Sequence, residues 1–91
     1  MAVVGAVEVA RAYSVWARLE REFALGAGRA RGGVLLPRHS LQQFRQFVRW
    51  LSADGRRRRC LADVRLAVGS YLDATRLTDW SHEVDSAIAG A

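Results

Sequence analysis

The chain has 91 residues, half of them apolar and a quarter charged, with a net charge of +5, a single cysteine and fourteen basic residues that are all arginine. That length allows one small globular domain, residues 1–91, with one modest core, and the composition excludes a disordered chain. No apolar run approaches the ~20 residues that cross a bilayer, Glu8 precedes any basic residue where a secretory leader would start basic, and a lone Cys60 cannot form an internal disulfide, so an intracellular (cytoplasmic or nuclear) location is expected.

Residues 3–25 carry apolar positions at spacings of three and four, Val9, Ala12, Trp16, Leu19 and Phe23, with Tyr13 beside them. This is the stripe of an amphipathic helix. Arg11, Arg18, Arg21 and Glu22 fall on its other side, and Arg18 and Glu22 stand one turn apart, where they can pair.

Four glycines between Gly26 and Gly33 then predict a flexible loop. The loop lacks a Gly-Lys-Ser/Thr ending and a preceding strand, which excludes a nucleotide-binding loop. The short apolar run Val34-Leu35-Leu36, stopped by Pro37, is expected to pack this connection onto the core.

Ser40 and Gln43 have capping-box spacing, so a second helix is predicted over 40–53, with Leu41, Phe44, Phe47, Val48 and Leu51 inward. Gln42, Arg45 and Arg49 share its opposite face, and Trp50 sits at the edge of the stripe as a filler or a rim contact. Asp54-Gly55 reads as a turn or helix stop. The run Arg56 to Arg59 lies in the following loop or opens the next helix. That third helix is expected over 60–75, with Leu61, Val64, Val68, Tyr71 and Leu72 inward. Gly69 inside it is a weak point or a place of close helix approach. A fourth helix is predicted over 79–89, with Trp80, Val84, Ala87 and Ile88 inward. The fold class is therefore all-α, a small bundle of four helices with a glycine-rich loop after the first.

Catalysis needs a nucleophile beside a base, paired carboxylates or a metal cluster. His39, His82 and Cys60 lie in separate elements and supply neither a dyad nor zinc-ligand spacing. No cofactor motif is present, and Cys60 is read as a structural cysteine. The domain is expected to be non-catalytic by itself.

The charge pattern carries more. Residues 29–59 hold nine arginines against Asp54, a net +8, whereas residues 60–91 come to −3 and residues 1–28 to zero. A basic middle of this kind meets phosphates or another anionic surface, unless the acidic third of the chain neutralises it across helix contacts. The residues singled out for nucleic-acid binding are Arg38, Arg45, Arg49, Arg56, Arg57, Arg58 and Arg59. DNA is the expected partner. A helical protein-interaction or homo-oligomerising module is the alternative. A basic membrane-surface domain ranks lower, because Met-Ala at the start does not match the Met-Gly of N-myristoylation.

From Phe44 onward the chain resembles the N-terminal, SAM-like core-binding domain of tyrosine recombinases, the phage integrase family. Phe47-Val-Arg-Trp50-Leu51 followed by Gly55 is similar to that family's Phe-x-x-Trp-Leu helix end and turn. Asp63 opening a helix that reaches Tyr71-Leu72, and Ser81 followed by Ser86-Ala87-Ile88, resemble two further family segments. Helix order and loop lengths agree over roughly residues 40–90. The chain departs from the pattern at Leu35 and His39, with Pro37 between them, and at Asp85, where an apolar residue is usual. The resemblance implies a helical clamp on duplex DNA, with Arg45 and Arg49 as groove or phosphate contacts and His82 as a further candidate. The family's catalytic Arg, His and Tyr belong to a second domain outside these residues.

Overall fold

The computed structural model describes residues 5–26 and 41–90. Most of the glycine-rich loop, the Val34–Leu36 run, Pro37, Arg38, His39 and the Ser40 cap lie outside them.

Helix α1 (Ala6–Gly26) forms where the sequence pattern places it. Ala12, Trp16 and Leu19 are buried, Phe23 and Tyr13 are half-buried, and Arg11, Arg18 and Arg21 are exposed. Helix α2 (Leu41–Ser52) buries Phe44, Phe47, Val48 and Leu51 completely or nearly so. Helix α4 (Leu61–Thr75) contributes Val64, Ala67, Val68 and Leu72, and α5 (Ser81–Ala89) contributes Val84, with Ala87 and Ile88 packed against the same core. A turn of 3₁₀ helix, Thr78–Trp80, leads into α5. Helix α1 packs chiefly on α4, and α2 on α5 and the chain beyond its own C-terminus. Each fully buried Leu, Val or Phe removes enough apolar surface from water to contribute roughly 1.5–3 kcal/mol. The radius of gyration, 12.6 Å, is close to the ~12 Å expected of a compact chain this long.

Two aromatic clusters lock the layers. Trp16 of α1 meets Tyr71 of α4 edge-on, with centroids 6.1 Å apart. Phe23 of α1 meets Phe47 and Trp50 of α2 at 5.6 and 5.5 Å, and Phe47 and Trp50 stack. Trp50 is thus a half-buried core filler.

The described residues form five helices, not the four expected. The addition is α3, Gly55–Arg58. The sequence places a turn or helix stop at Asp54-Gly55, and the structure starts a helix there. Asp54 adopts extended backbone (φ −131°, ψ 134°), and its carboxylate accepts a hydrogen bond from the Arg57 N–H at 3.2 Å. An aspartate so placed caps the start of a helix. The Arg56–Arg59 run therefore forms its own helical turn rather than a loop or the start of α4.

Helix α4 ends without glycine. Arg76 takes up the left-handed conformation (φ 59°, ψ 32°), and the Leu77 N–H donates to Leu72 O at 2.9 Å while the Arg76 N–H donates to Asp73 O. This is the Schellman arrangement with a side chain where glycine is usual. Inside α4, Gly69 has no helix closing on it, since a Cβ there would meet nothing within 4 Å. Among the described residues no helix is long and apolar enough to cross a membrane.

Candidate nucleic-acid interface

Periodicity puts Arg45 and Arg49 one turn apart on the face of α2 opposite Phe44, Phe47, Val48 and Leu51, and both are exposed. They line a cleft of about 190 Å³ with Ser86, Ala87 and Gly90 at the end of α5. Among the described residues the cleft lining contains no carboxylate.

The α3 arginines occupy a different flank. Arg56, Arg58 and Arg59 are exposed. Arg57 is half-buried and folds back: its guanidinium carbon stands 4.2 Å over the Trp50 ring, and its Nε–H donates to Trp50 O at 3.0 Å. Residues of a helix are set about 100° apart, so Trp50 and the Arg57 stacked on it lie well round α2 from Arg49. Arg56 and Arg57 line a second cleft with Arg18, Leu19 and Glu22 of α1, Asp54 and Cys60. Of the sequence-selected arginines, Arg45 and Arg49 thus line one cleft and Arg56 and Arg57 the other, while Arg58 and Arg59 are exposed outside both linings. Arg38 lies outside the described residues.

Among the described residues, no carboxylate from the acidic part of the chain comes within 4.0 Å of either set. The one side-chain ion pair within 4.0 Å among the described residues joins Arg65 and Asp85, at 3.4 Å, and both are more than half exposed. Such a pair contributes little to stability. Arg18 and Glu22, set to pair one turn apart, do not come within that distance.

Two residues escaped the sequence reading. Arg18, on the first helix, joins the α3 arginines in their cleft. Glu20 is fully buried, with neither carboxylate oxygen hydrogen-bonded, and the Trp16 Nε1–H one turn away is buried and unpartnered as well. Burial raises the Glu20 carboxyl from 4.5 to about 8, because a charge without partners is costly in an apolar interior. At neutral pH Glu20 is therefore mostly protonated.

Cys60 is a free, half-buried thiol whose Sγ lies 3.8 Å from Arg56 O, so it is less enclosed than expected. His82 is exposed on α5. Among the described residues no three His, Cys, Asp or Glu side chains gather as metal ligands would.

Fold and clefts together define a small, basic, all-α bundle with two arginine-lined flanks. Comparison with protein-family models, curated proteins and solved structures finds no match for this chain.

Proposed function

We propose that this domain binds duplex DNA through arginine–phosphate contacts and performs no chemistry by itself. One observation carries the reading: Arg45, Arg49, Arg56, Arg58 and Arg59 are exposed, and none has a carboxylate of the described residues within 4.0 Å. Guanidinium groups left free in this way release condensed counterions when they meet a polyphosphate, which favours binding without base readout. Arg57 has a different task, fixing α3 against Trp50 so that its neighbours project outward. The resemblance of residues 40–90 to a recombinase core-binding domain supports the same reading, with α2 and α5 as the faces toward DNA.

The test is a titration of a fluorescent duplex by anisotropy, beside anionic vesicles, with wild-type protein and an Arg45→Glu/Arg49→Glu variant. Duplex binding that the variant loses is the expected result. Vesicle binding without duplex binding would replace DNA with an anionic lipid surface. A second reading, a helical interaction module, draws on the outer groove of α4, where Ala62, Leu66 and the open Gly69 leave about 430 Å³ of accessible space. Association that grows with protein concentration and ignores the arginine changes would favour it.

A further inference from the structure

We propose that the cleft between α2 and the end of α5 is a seat for a single phosphate group, held by Arg45, Arg49 and the Ser86 hydroxyl. This deepens the DNA reading and rests on it for the source of the phosphate, but not for the seat itself.

The two clefts carry arginines of different availability. In the α1–α3 cleft, Glu22 and Asp54 line the wall with Arg18, Arg56 and Arg57, though not within 4.0 Å of their guanidiniums, and Arg57 is committed to Trp50. Internal carboxylates there compete with any incoming anion. Among the described residues the α2–α5 cleft has none. The nearest acid in sequence, Asp85, is held by Arg65, which lines a different recess with Ser81 and Val84.

Size and shape agree. Ser86, Ala87 and Gly90 present small side chains, so the wall of the cleft is low. A Cβ at Gly90 would come within 3.2 Å of Ser86 O. The volume of about 190 Å³ admits one tetrahedral anion with some of its water and is small for a nucleobase with its sugar. Two guanidinium groups spaced one turn apart can each fork onto phosphate oxygens, and the Ser86 hydroxyl can donate to a third.

One term opposes binding. Helix α5 ends at the cleft, and a helix C-terminus carries roughly half a negative charge. The Gly90 N–H turns back onto Ser86 O at 3.0 Å and satisfies one of those terminal carbonyls. The remaining partial charge is outweighed by two full positive charges. An anion with two negative charges gains more from that surplus than one with a single charge, so a terminal phosphate monoester suits the seat better than an internal diester.

The test is a titration with inorganic phosphate followed by amide and arginine side-chain NMR, on wild type, Arg45→Gln/Arg49→Gln and Arg18→Gln/Arg56→Gln. Saturable shifts confined to Ser86, Ala87, Gly90 and the two α2 guanidiniums are expected. The first variant should weaken phosphate at least about tenfold, the order of losing one charge-assisted hydrogen bond, and the second should leave it unchanged. Ser86→Ala should weaken it less and leave the fold intact. Shifts spread evenly over all arginines, or retained in the first variant, would overturn the seat. Duplexes with and without a 5′-phosphate distinguish the sources: tighter binding of the phosphorylated end assigns the seat to a terminal monoester, and equal binding to a backbone diester. Phosphate binding without duplex binding would leave the seat standing and remove the DNA reading. Duplex binding without localised phosphate shifts would do the reverse.

Discussion

Replacing Glu20 should make this domain more stable at neutral pH and remove a pH dependence that the wild type carries. In the folded protein the carboxyl is fully buried, unpartnered and raised from 4.5 to about 8. In the unfolded chain it is hydrated and ionises near its ordinary value. Between those two pH values the folded state holds a proton that the unfolded state releases. Stability therefore falls as pH rises through that window, and is greatest below it. One pH unit corresponds to about 1.4 kcal/mol for one such proton. From pH 4.5 to 7 the loss is about 3 kcal/mol, and by pH 8 it reaches about 4 kcal/mol. That is a large share of the total for a domain this small.

Urea denaturation followed by circular dichroism at pH 5, 7 and 8.5 measures this directly. Glu20→Gln resembles the protonated side chain in shape but does not titrate. At pH 7 it should exceed wild type by about 3 kcal/mol, and near pH 4.5 the two should converge. Because other titrating groups are common to both proteins, the difference between the curves isolates Glu20. A wild-type stability that is flat or rises between pH 5 and 8, or an identical fall in Glu20→Gln, would refute the reasoning.

Three further substitutions follow from backbone and ring geometry. Arg76→Gly relieves a left-handed residue and should raise stability by about 1 kcal/mol, measured by the same urea curves with Arg76→Ala as the charge control; no gain over Arg76→Ala contradicts the assignment. Gly69→Ala adds a methyl where nothing stands within 4 Å and should stabilise by roughly 0.5–1 kcal/mol; a loss would mean that the position is occupied by something else. Arg57→Ala removes the contact over Trp50 and a hydrogen bond. It should cost about 1–2 kcal/mol of stability while changing duplex affinity less than Arg58→Ala does. The reverse order in the anisotropy assay would put Arg57 on the DNA.

Much of the fold was legible because four of the helices bury a stripe of apolar residues repeating at three and four. Trp16, Phe47, Val64, Val68 and Val84 all sit where that repeat puts them. Helix α3 was not legible, because four residues cannot display a period and Asp54-Gly55 serves both as the end of one element and the cap of the next. The left-handed turn at Arg76 was hidden by the lack of glycine. Glu20 lies about 40° round the helix from Trp16 and from Ala24, within the buried arc, although a glutamate is almost never fully buried unless paired. Projecting α1 onto a wheel without regard to residue type would have found it. For the site, the concentration of free arginine was legible from segment charge. Its division between two flanks was not, because the direction of Arg57 is decided by Trp50, seven residues earlier and across a turn.

The claim on which the functional account rests is that exposed, unpaired guanidinium groups displace counterions from DNA. The salt dependence of duplex affinity measures it most directly. Each phosphate neutralised contributes about −0.9 to the slope of log affinity against log salt. One phosphate seated in the α2–α5 cleft predicts a slope of about −0.9, and a further phosphate each on Arg56, Arg58 and Arg59 brings it to about −3.6. Arg45→Gln/Arg49→Gln should flatten it by about 0.9. A slope near zero, or one that these changes leave as steep as before, would contradict the account.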